Sequence, residues 1–592
     1  MELKLDRDTT WNLTDMFADD AAWEAQMAQV GQLGEKLAAR KGSAAGSAAA
    51  LLETLRRNDE LGLLGAQCAI YAECRFHTDM AAAKGKEMVG RLEILFTRIG
   101  EQTAFLEPEL MRCGRENFDR FCAEEPALEG YRRMMEDLFD RGDHLLDDAG
   151  EAMLTRMSDL GGVYRQVFED LVINDTPVPT VEGPDGSPVR VTEAGYSAAL
   201  QSGDRAFRAR YYNTLLGLYG SHINTLASSY YGKVKADVYV AKSRRYPSAR
   251  AAALAANHIP EEVYDRLIST VRANTAPLQE YVALRCRLLG IEDFHFYDFF
   301  VPLAQEVCRA YPYEEAARLV MEATAPLGED YAEKMRAALE NRWIDVYPKD
   351  NKQTGAYSTG TYGFHPYMLL NYDNTLEDVF TLVHELGHSM HTIYSCESQP
   401  FVYSDYSIFC AEVASTVNEQ LLHHYLLAHC ESPALRRLLL AKHLDDLRST
   451  FYRQTMLADF EMQTHAKVEA GEPLLPDVLC GIHAQLNRDY YGPQLVVDDT
   501  LSYEWARIPH FYRHFYVYQY ATGISAAIAI ANRILSGVPG AVEDYKKFLS
   551  GGSSQHPIEL LRLAGVDMAS PQPVLDTVAE FSETLDELKK LL

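Results

Sequence analysis

No Cys-x-x-Cys pair occurs in this 592-residue chain. Its ten cysteines (Cys68, Cys74, Cys113, Cys122, Cys286, Cys308, Cys396, Cys410, Cys430 and Cys480) are scattered, a spread that argues against a disulfide framework and for reduced thiols in a cytoplasmic protein. Basic residues are in deficit. With 56 Lys and Arg against 85 Asp and Glu, the net charge is −29 and the pI near 5.0, which speaks against nucleic acid, whose phosphates need basic patches. The acidic balance keeps an abundant protein soluble and gives at most a weak attraction for basic peptides. No stretch approaches the ~18 consecutive apolar residues of a membrane span. The segment Met1 to Trp11 has no positive region followed by an apolar run, so no secretory leader is expected. No fixed-period repeat is visible, which argues against a solenoid. Nothing in the pattern sets the oligomeric state.

What is present is a large, mostly helical signal. Apolar residues make up 47% of the chain, ample for a packed interior, and the length exceeds one ordinary core. Residues 1–20 are polar and turn-rich, with Trp11 to Phe17 expected to pack on the body as an arm. From Asp20 to about Val172, Ala-rich segments with Leu, Met and Phe at helical spacing recur, as in Leu51–Arg57 and Glu87–Phe96. Gly42 to Ser47 reads as a linker between two of these helices. Pro184-Asp185-Gly186 between two β-branched runs predicts a small hairpin and a seam. The expected organisation is a helical N-terminal lobe over 1–180 and a second region over 181–592, with contributions from 205–342 and 343–592. Trp343–Tyr347, Thr354–Phe364 and Pro366–Tyr372 form the one clear β region. Glycines at 355, 360 and 363 allow turns or close backbone approach there, and an exposed edge could accept an extended peptide as an added strand.

The chemistry concentrates at His384-Glu385-Leu386-Gly387-His388. Residues four apart on a helix lie about 40° apart round the axis and about 6 Å along it. Both imidazoles can therefore reach one zinc ion at about 2.0–2.1 Å, while Glu385, one step round, is placed to touch a water on the metal. Val379, Leu382, Val383 and Leu386 keep helical spacing, and Asn374-Thr375 with Asp378 reads as a helix start. A catalytic zinc needs a third protein ligand and an open position. His391 lies about 10.5 Å of rise from His384, too far to share an ion on a straight helix, and the Gly-x-x-His continuation of another zinc protease class is missing. Glu412, in Ile408–Glu419, is the better candidate, because a carboxylate in a small, apolar turn is costly unless paired; an acid on a solvated helix face is the alternative. Thr416 and Glu419 share its face and could orient a ligand. Cys410, two residues from Glu412, points away and reads as core packing; His423, His424 and His429 read as packing or surface residues.

The run His384-Glu-Leu-Gly-His-Ser-Met-His, followed 24 residues after His388 by Ala411-Glu412-Val-Ala-Ser-Thr, resembles the oligoendopeptidase F branch of the thimet oligopeptidase family of zinc metallopeptidases. The similarity runs from about Tyr196 to the C-terminus. It implies one zinc per chain held by His384, His388 and Glu412, with Glu385 as general base. It also implies that a histidine and tyrosines of a C-terminal segment enter the site, and in Ile508–Gly523 the match gives His510, Tyr516 and Tyr518. Tyr512 and Tyr520 are substitutes, since the spacing is shorter than in the thimet branch. On helix geometry Tyr512, Tyr516 and Tyr520 form one stripe, equally compatible with a plain aromatic core face. On one straight helix His510 would stand about 9–12 Å of rise from Tyr516 and Tyr518, so it is expected just outside that helix, after Pro509.

The expected molecule is a mainly α, multi-helical, two-lobed metallopeptidase with a small β-sheet beside the His-Glu helix and a deep central channel. It would be a cytoplasmic zinc endopeptidase cutting internal bonds of short unstructured peptides, with no nucleic-acid or membrane partner. The alternatives are a zinc carboxypeptidase or dipeptidase, and a non-catalytic peptide-binding protein with structural zinc.

Overall fold

The structure, a computed structural model, describes residues 3–5, 8–303 and 309–592. Met1, Glu2, Asp6, Arg7 and Cys308 lie outside the described residues, and with them the very start of the chain and one of the ten thiols. The fold is mainly helical, as the periodicity implies. Among the described residues there are two small sheets: a hairpin of β1 (Thr180–Glu182) and β2 (Pro188–Arg190), and a three-stranded sheet of β3 (Ile344–Asp345), β4 (Tyr357–Thr359) and β5 (Tyr367–Leu369) in the order β3-β5-β4. The hairpin forms where Pro184-Asp185-Gly186 turns the chain, with Gly186 at φ +82°. No helix among the described residues is long and apolar enough to cross a membrane.

Two compact units emerge. The first comprises Met1–Asp143, Arg309–Leu426 and Ile530–Val566; the second comprises His144–Cys308, Leu427–Ala529 and Asp567–Leu592. In the first, helices Asp20–Ala38, Ala48–Thr78 and Ala83–Thr103 pack on one another, and their apolar faces share a core with Tyr367 and Leu369 of β5. The N-terminal arm is pinned to this core. Trp11 meets Tyr367 edge-on at 6.3 Å, and the Val346 N–H just beyond β3 donates to the Thr9 carbonyl at 2.9 Å. Thus the β3 margin is covered, and β4 forms the other margin of the sheet. The second unit is rich in fully buried tyrosines, among them Tyr211, Tyr212, Tyr230, Tyr264, Tyr281, Tyr490 and Tyr491. Each contributes a large apolar ring to the interior.

The sheet of the first unit lies against helix Leu376–Ser398, the motif helix. Thr375 caps it: its hydroxyl accepts the Asp378 N–H at 3.1 Å, and Asp378 Oδ2 accepts the Thr375 N–H at 2.9 Å. This reciprocal arrangement satisfies donors that a helix start otherwise leaves open. The motif helix then crosses helix Ile408–His429 at very short range. A Cβ on Gly387 would stand 2.5 Å from Ser415 Cα and 2.8 Å from the Ala414 carbonyl oxygen, so only glycine permits this approach. Asn418 closes the contact, donating to the Val383 carbonyl at 3.2 Å and accepting from the Tyr331 hydroxyl at 2.9 Å.

Because the opposing atoms at Gly387 are backbone, they cannot turn aside. Gly387→Ala is expected to cost about 1–3 kcal/mol, the usual range for overpacking, and to appear as a lower denaturation midpoint. An unchanged midpoint would show that the helices part without penalty.

Candidate metal centre

The capping box sets where the motif helix begins, and nine to thirteen residues on it brings His384 and His388 to one face. Their Nε2 atoms are 3.2 Å apart. Glu412, from the facing helix, places Oε2 3.5 Å from His384 Nε2 and 3.9 Å from His388 Nε2. Ligands about 2.0–2.1 Å from a tetrahedral ion lie roughly 3.3 Å from one another, so two imidazoles and a carboxylate at these separations suit a single divalent ion. His384, His388 and Glu412 form a group whose ligand atoms all fall within 4.8 Å of one another. His391 takes no part: it is buried and stacks on Tyr406 at 3.5 Å.

The partners of the imidazoles leave Nε2 of each free to coordinate. His384 donates its Nδ1–H to Glu419 Oε1 at 2.7 Å, and the Ala411 backbone serves the His388 ring. Such partners fix ring tautomer and orientation. Burial disfavours charge on His384, yet the Glu419 hydrogen bond and the charges of Glu419, Glu385 and Glu412 outweigh it and raise its pKa to about 9. Burial together with the His384 charge depresses His388 to about 3. One proton on the pair is favoured and two are not.

Glu385 is 7% exposed, and burial pushes its pKa up to about 7. The Ser358 N–H of β4 faces its carboxylate, and the Ser358 hydroxyl meets that of Ser389 at 2.8 Å. Its Oε2 atom has no hydrogen-bond partner among the described residues. A buried carboxylate with one idle oxygen and a near-neutral pKa is suited to take and return a proton.

The C-terminal candidates lie in the second unit. His510 sits on a short 3-10 turn, Pro509–Tyr512, apart from the helix Tyr518–Leu535. The Tyr516 ring is parallel to His510 with centroids 6.0 Å apart, the Tyr520 hydroxyl reaches to 3.5 Å from His510 Nε2, and Tyr516 and Tyr520 meet edge-on at 5.4 Å. Local desolvation and the nearby Arg513 and Arg453 charges lower the His510 pKa from its ordinary value. The structure does not bring Tyr518 or Tyr512 to this group. Tyr518 is 1% exposed and packs on Tyr264, and Tyr512 lies against Phe168.

Residues 198–580 match the family model described as Peptidase family M3, and residues 109–176 match that of Oligopeptidase F. The chain belongs to peptidase family M3. It is 40% identical over 583 residues to Oligopeptidase PepF of Bacillus subtilis, covering 98% of this chain and 87% of that one. It is 36% identical to Group B oligopeptidase PepB of Streptococcus agalactiae, covering 98% and 97%. Among solved structures, oligoendopeptidase-F from Enterococcus faecium superposes with a TM-score of 0.75 at 31% identity, covering 97% of this chain and 99% of that one. A chain from Chlamydophila abortus reaches 0.93 at 32% identity, covering all of both. The protein is therefore a metallopeptidase with peptides as substrates, and the non-catalytic alternative is set aside. Membership implies a metal ion, and the donor set just described fits one.

Several features of the centre of this M3 peptidase escape residue-by-residue reading. Ser358 sits in a short strand, β4, with no chemical signature of its own, and its contact with Glu385 depends on the β4-to-helix packing. Tyr406, whose hydroxyl bonds Thr392 at 2.9 Å, lies in a loop with no chemical signature. Gly387 occupies a variable place of the motif, and its necessity comes from the opposite helix.

Glu419 carries a prediction. Glu419→Ala should weaken metal binding by about 10–100-fold, the usual effect of losing an imidazole's outer partner, measured by competition with a chromophoric chelator. Unchanged affinity would show that the His384 ring is oriented without it.

Proposed function

We propose that this M3 peptidase is a zinc endopeptidase that cuts internal bonds of short, unstructured peptides in the cytoplasm. The observation that carries the reading is the convergence of His384 Nε2, His388 Nε2 and Glu412 Oε2 beside the buried carboxylate of Glu385. His384, His388 and Glu412 would hold the zinc. When bound, such an ion acidifies water and polarises a carbonyl oxygen. Glu385 removes the proton from the attacking water and delivers it to the leaving amine, a task that its near-neutral pKa matches. The strand β4 supports the substrate role: it forms a margin of its sheet and its Ser358 N–H faces Glu385, so an extended peptide added along it would be held by sequence-tolerant backbone bonds. Developing negative charge on the substrate oxygen requires a hydrogen-bond donor. We assign this to His510 with a neighbouring tyrosine: of the two that the resemblance names, Tyr516 and Tyr518, it is Tyr516 that lies beside His510, and Tyr520 joins it by its approach to His510 Nε2. Unpaired cysteines at all nine described positions support a reducing, cytoplasmic setting.

The decisive experiment maps cuts in a mixed peptide library by mass spectrometry, with and without chelator, for the wild type and Glu385→Gln. Internal cuts that vanish with chelator are expected. Glu385→Gln should retain metal and lose at least about 10²-fold in turnover; activity within tenfold of wild type would refute the general-base role. Single-residue or dipeptide trimming from one end would convert the reading to an exopeptidase.

A second set separates the tyrosines. Tyr520→Phe and Tyr516→Phe should lower kcat more than KM, by about 10-fold or more for the residue that donates, whereas Tyr518→Phe should act mainly on stability, since its ring is enclosed. A large kcat loss confined to Tyr518→Phe would reverse the assignment.

A further inference from the structure

Beneath the turn that carries His510 lies a cluster of ionisable groups, buried except for the half-exposed His514, that the mechanism above leaves unused. All of it is within the second unit. Lys233 and Asp237 come from helix Ile223–Ser243, one turn apart and ion-paired; Glu461 and His465 come from helix Arg453–Glu469, also one turn apart. His514, two residues beyond that turn, brings Nδ1 to 3.2 Å from Lys233 Nζ and 3.4 Å from Asp237 Oδ1. Asp237 Oδ2 lies 3.5 Å from His465 Nε2, and His465 donates its Nδ1–H to the Glu461 carbonyl at 2.9 Å. Glu461, fully buried, accepts the backbone N–H of Phe515 on Oε1 at 2.5 Å.

That last bond falls on an unusual residue. Phe515 has φ +51°, the left-handed region that a bulky side chain enters only when its surroundings hold it there. Its ring is 3% exposed and packs on His465 and Tyr264. The reversal at Phe515 is what lets the chain leave the turn of His510 and enter helix Tyr518–Leu535 with Tyr516 and Tyr520 beside that histidine. A buried carboxyl and a buried amine are costly in a core, and apolar residues of similar size would fill the same space.

We propose that Glu461, with Lys233, Asp237, His465 and His514 around it, is a positioning residue: it clamps the left-handed turn at Phe515 and so sets the placement of His510, Tyr516 and Tyr520. The inference rests on the oxyanion role assigned to those three. Burial pushes the Glu461 carboxyl well above the usual carboxylate range, and a neutral carboxyl still offers a carbonyl oxygen to the Phe515 N–H. Glutamine offers the same oxygen; alanine offers none.

The test uses full-length, zinc-loaded enzyme and a short quenched peptide, with kcat, KM, metal content and melting temperature measured for Glu461→Ala, Glu461→Gln, Lys233→Met and His510→Ala. Glu461→Ala should lower kcat about 10- to 100-fold through misplacement of the turn, with KM within about twofold and zinc unchanged, and Glu461→Gln should recover most of kcat. Should Glu461→Ala not fold, Lys233→Met, which frees His514, should show the same kcat-selective loss, and a silent Lys233→Met would then overturn the clamp. The clamp is also overturned if Glu461→Ala keeps wild-type kcat, or if the Gln and Ala variants lose activity equally in step with melting temperature, as a purely structural role would have it. His510→Ala separates the two levels. Loss there with a silent Glu461→Ala refutes the clamp alone; a silent His510→Ala with a Glu461-dependent kcat refutes the oxyanion role of His510 and leaves the clamp standing.

Discussion

The centre depends on one close approach. Where the motif helix passes Ser415, the side chain at position 387 is reduced to a hydrogen, and two helical backbones come nearer than any other residue would allow. That separation puts a carboxylate from one helix within 3.5–3.9 Å of imidazoles on the other. Metal coordination tolerates errors of only a few tenths of an ångström, so the fitness of this donor set for an ion is a consequence of backbone packing before it is a matter of ligand identity. Asn418 and Tyr331, hydrogen-bonded across the same crossing, hold the helices in register without touching the ligands.

Electrostatics then act on what packing has assembled. Three carboxylates, Glu385, Glu412 and Glu419, surround two imidazoles in a half-buried space. The Glu419 hydrogen bond and the combined field of the three draw a proton to His384, and burial together with that charge keeps one off His388. A cation among them relieves the same field more fully than a proton can, since it can be shared by all three donors. Glu385 differs from the other two acids in being enclosed, and enclosure moves its proton affinity toward neutrality. Three like side chains are thereby suited to the three tasks proposed for them, ligand, orienter and base, according to burial and neighbours rather than residue type.

The second unit solves a different problem. A histidine and tyrosines gathered for hydrogen bonding cannot all lie on one straight helix, because rise separates them. Here the chain breaks before Tyr518 and reverses at Phe515, and the buried polar groups below stand where the strained residue needs support. Lys233 pairs with Asp237, Asp237 faces His465, and Glu461 Oε1 takes the Phe515 N–H, so the buried charges are partly compensated by one another and partly by the turn.

Much of this was legible in the residues themselves, wherever the determinant was local. The i, i+4 spacing put His384 and His388 on one face because helical pitch is the same in every protein. Thr375 and Asp378 marked the helix start because unpaired N–H groups there need acceptors, and Pro-Asp-Gly marked the hairpin because only certain residues take its backbone angles. Glu412 could be named as a candidate because a carboxylate in a small, apolar turn is costly unless paired, and Glu419 as its companion from the face they share. What tertiary structure alone decided was every relation between segments distant in sequence. Among these are the crossing that makes Gly387 obligatory, the contact of Ser358 with Glu385, the choice of Tyr516 and Tyr520 over Tyr518 as neighbours of His510, and the meeting of Glu461 with the Phe515 N–H. Periodicity specifies which way a side chain leaves its own helix, but the partner it meets depends on how other segments fill the remaining space, and no local pattern carries that information.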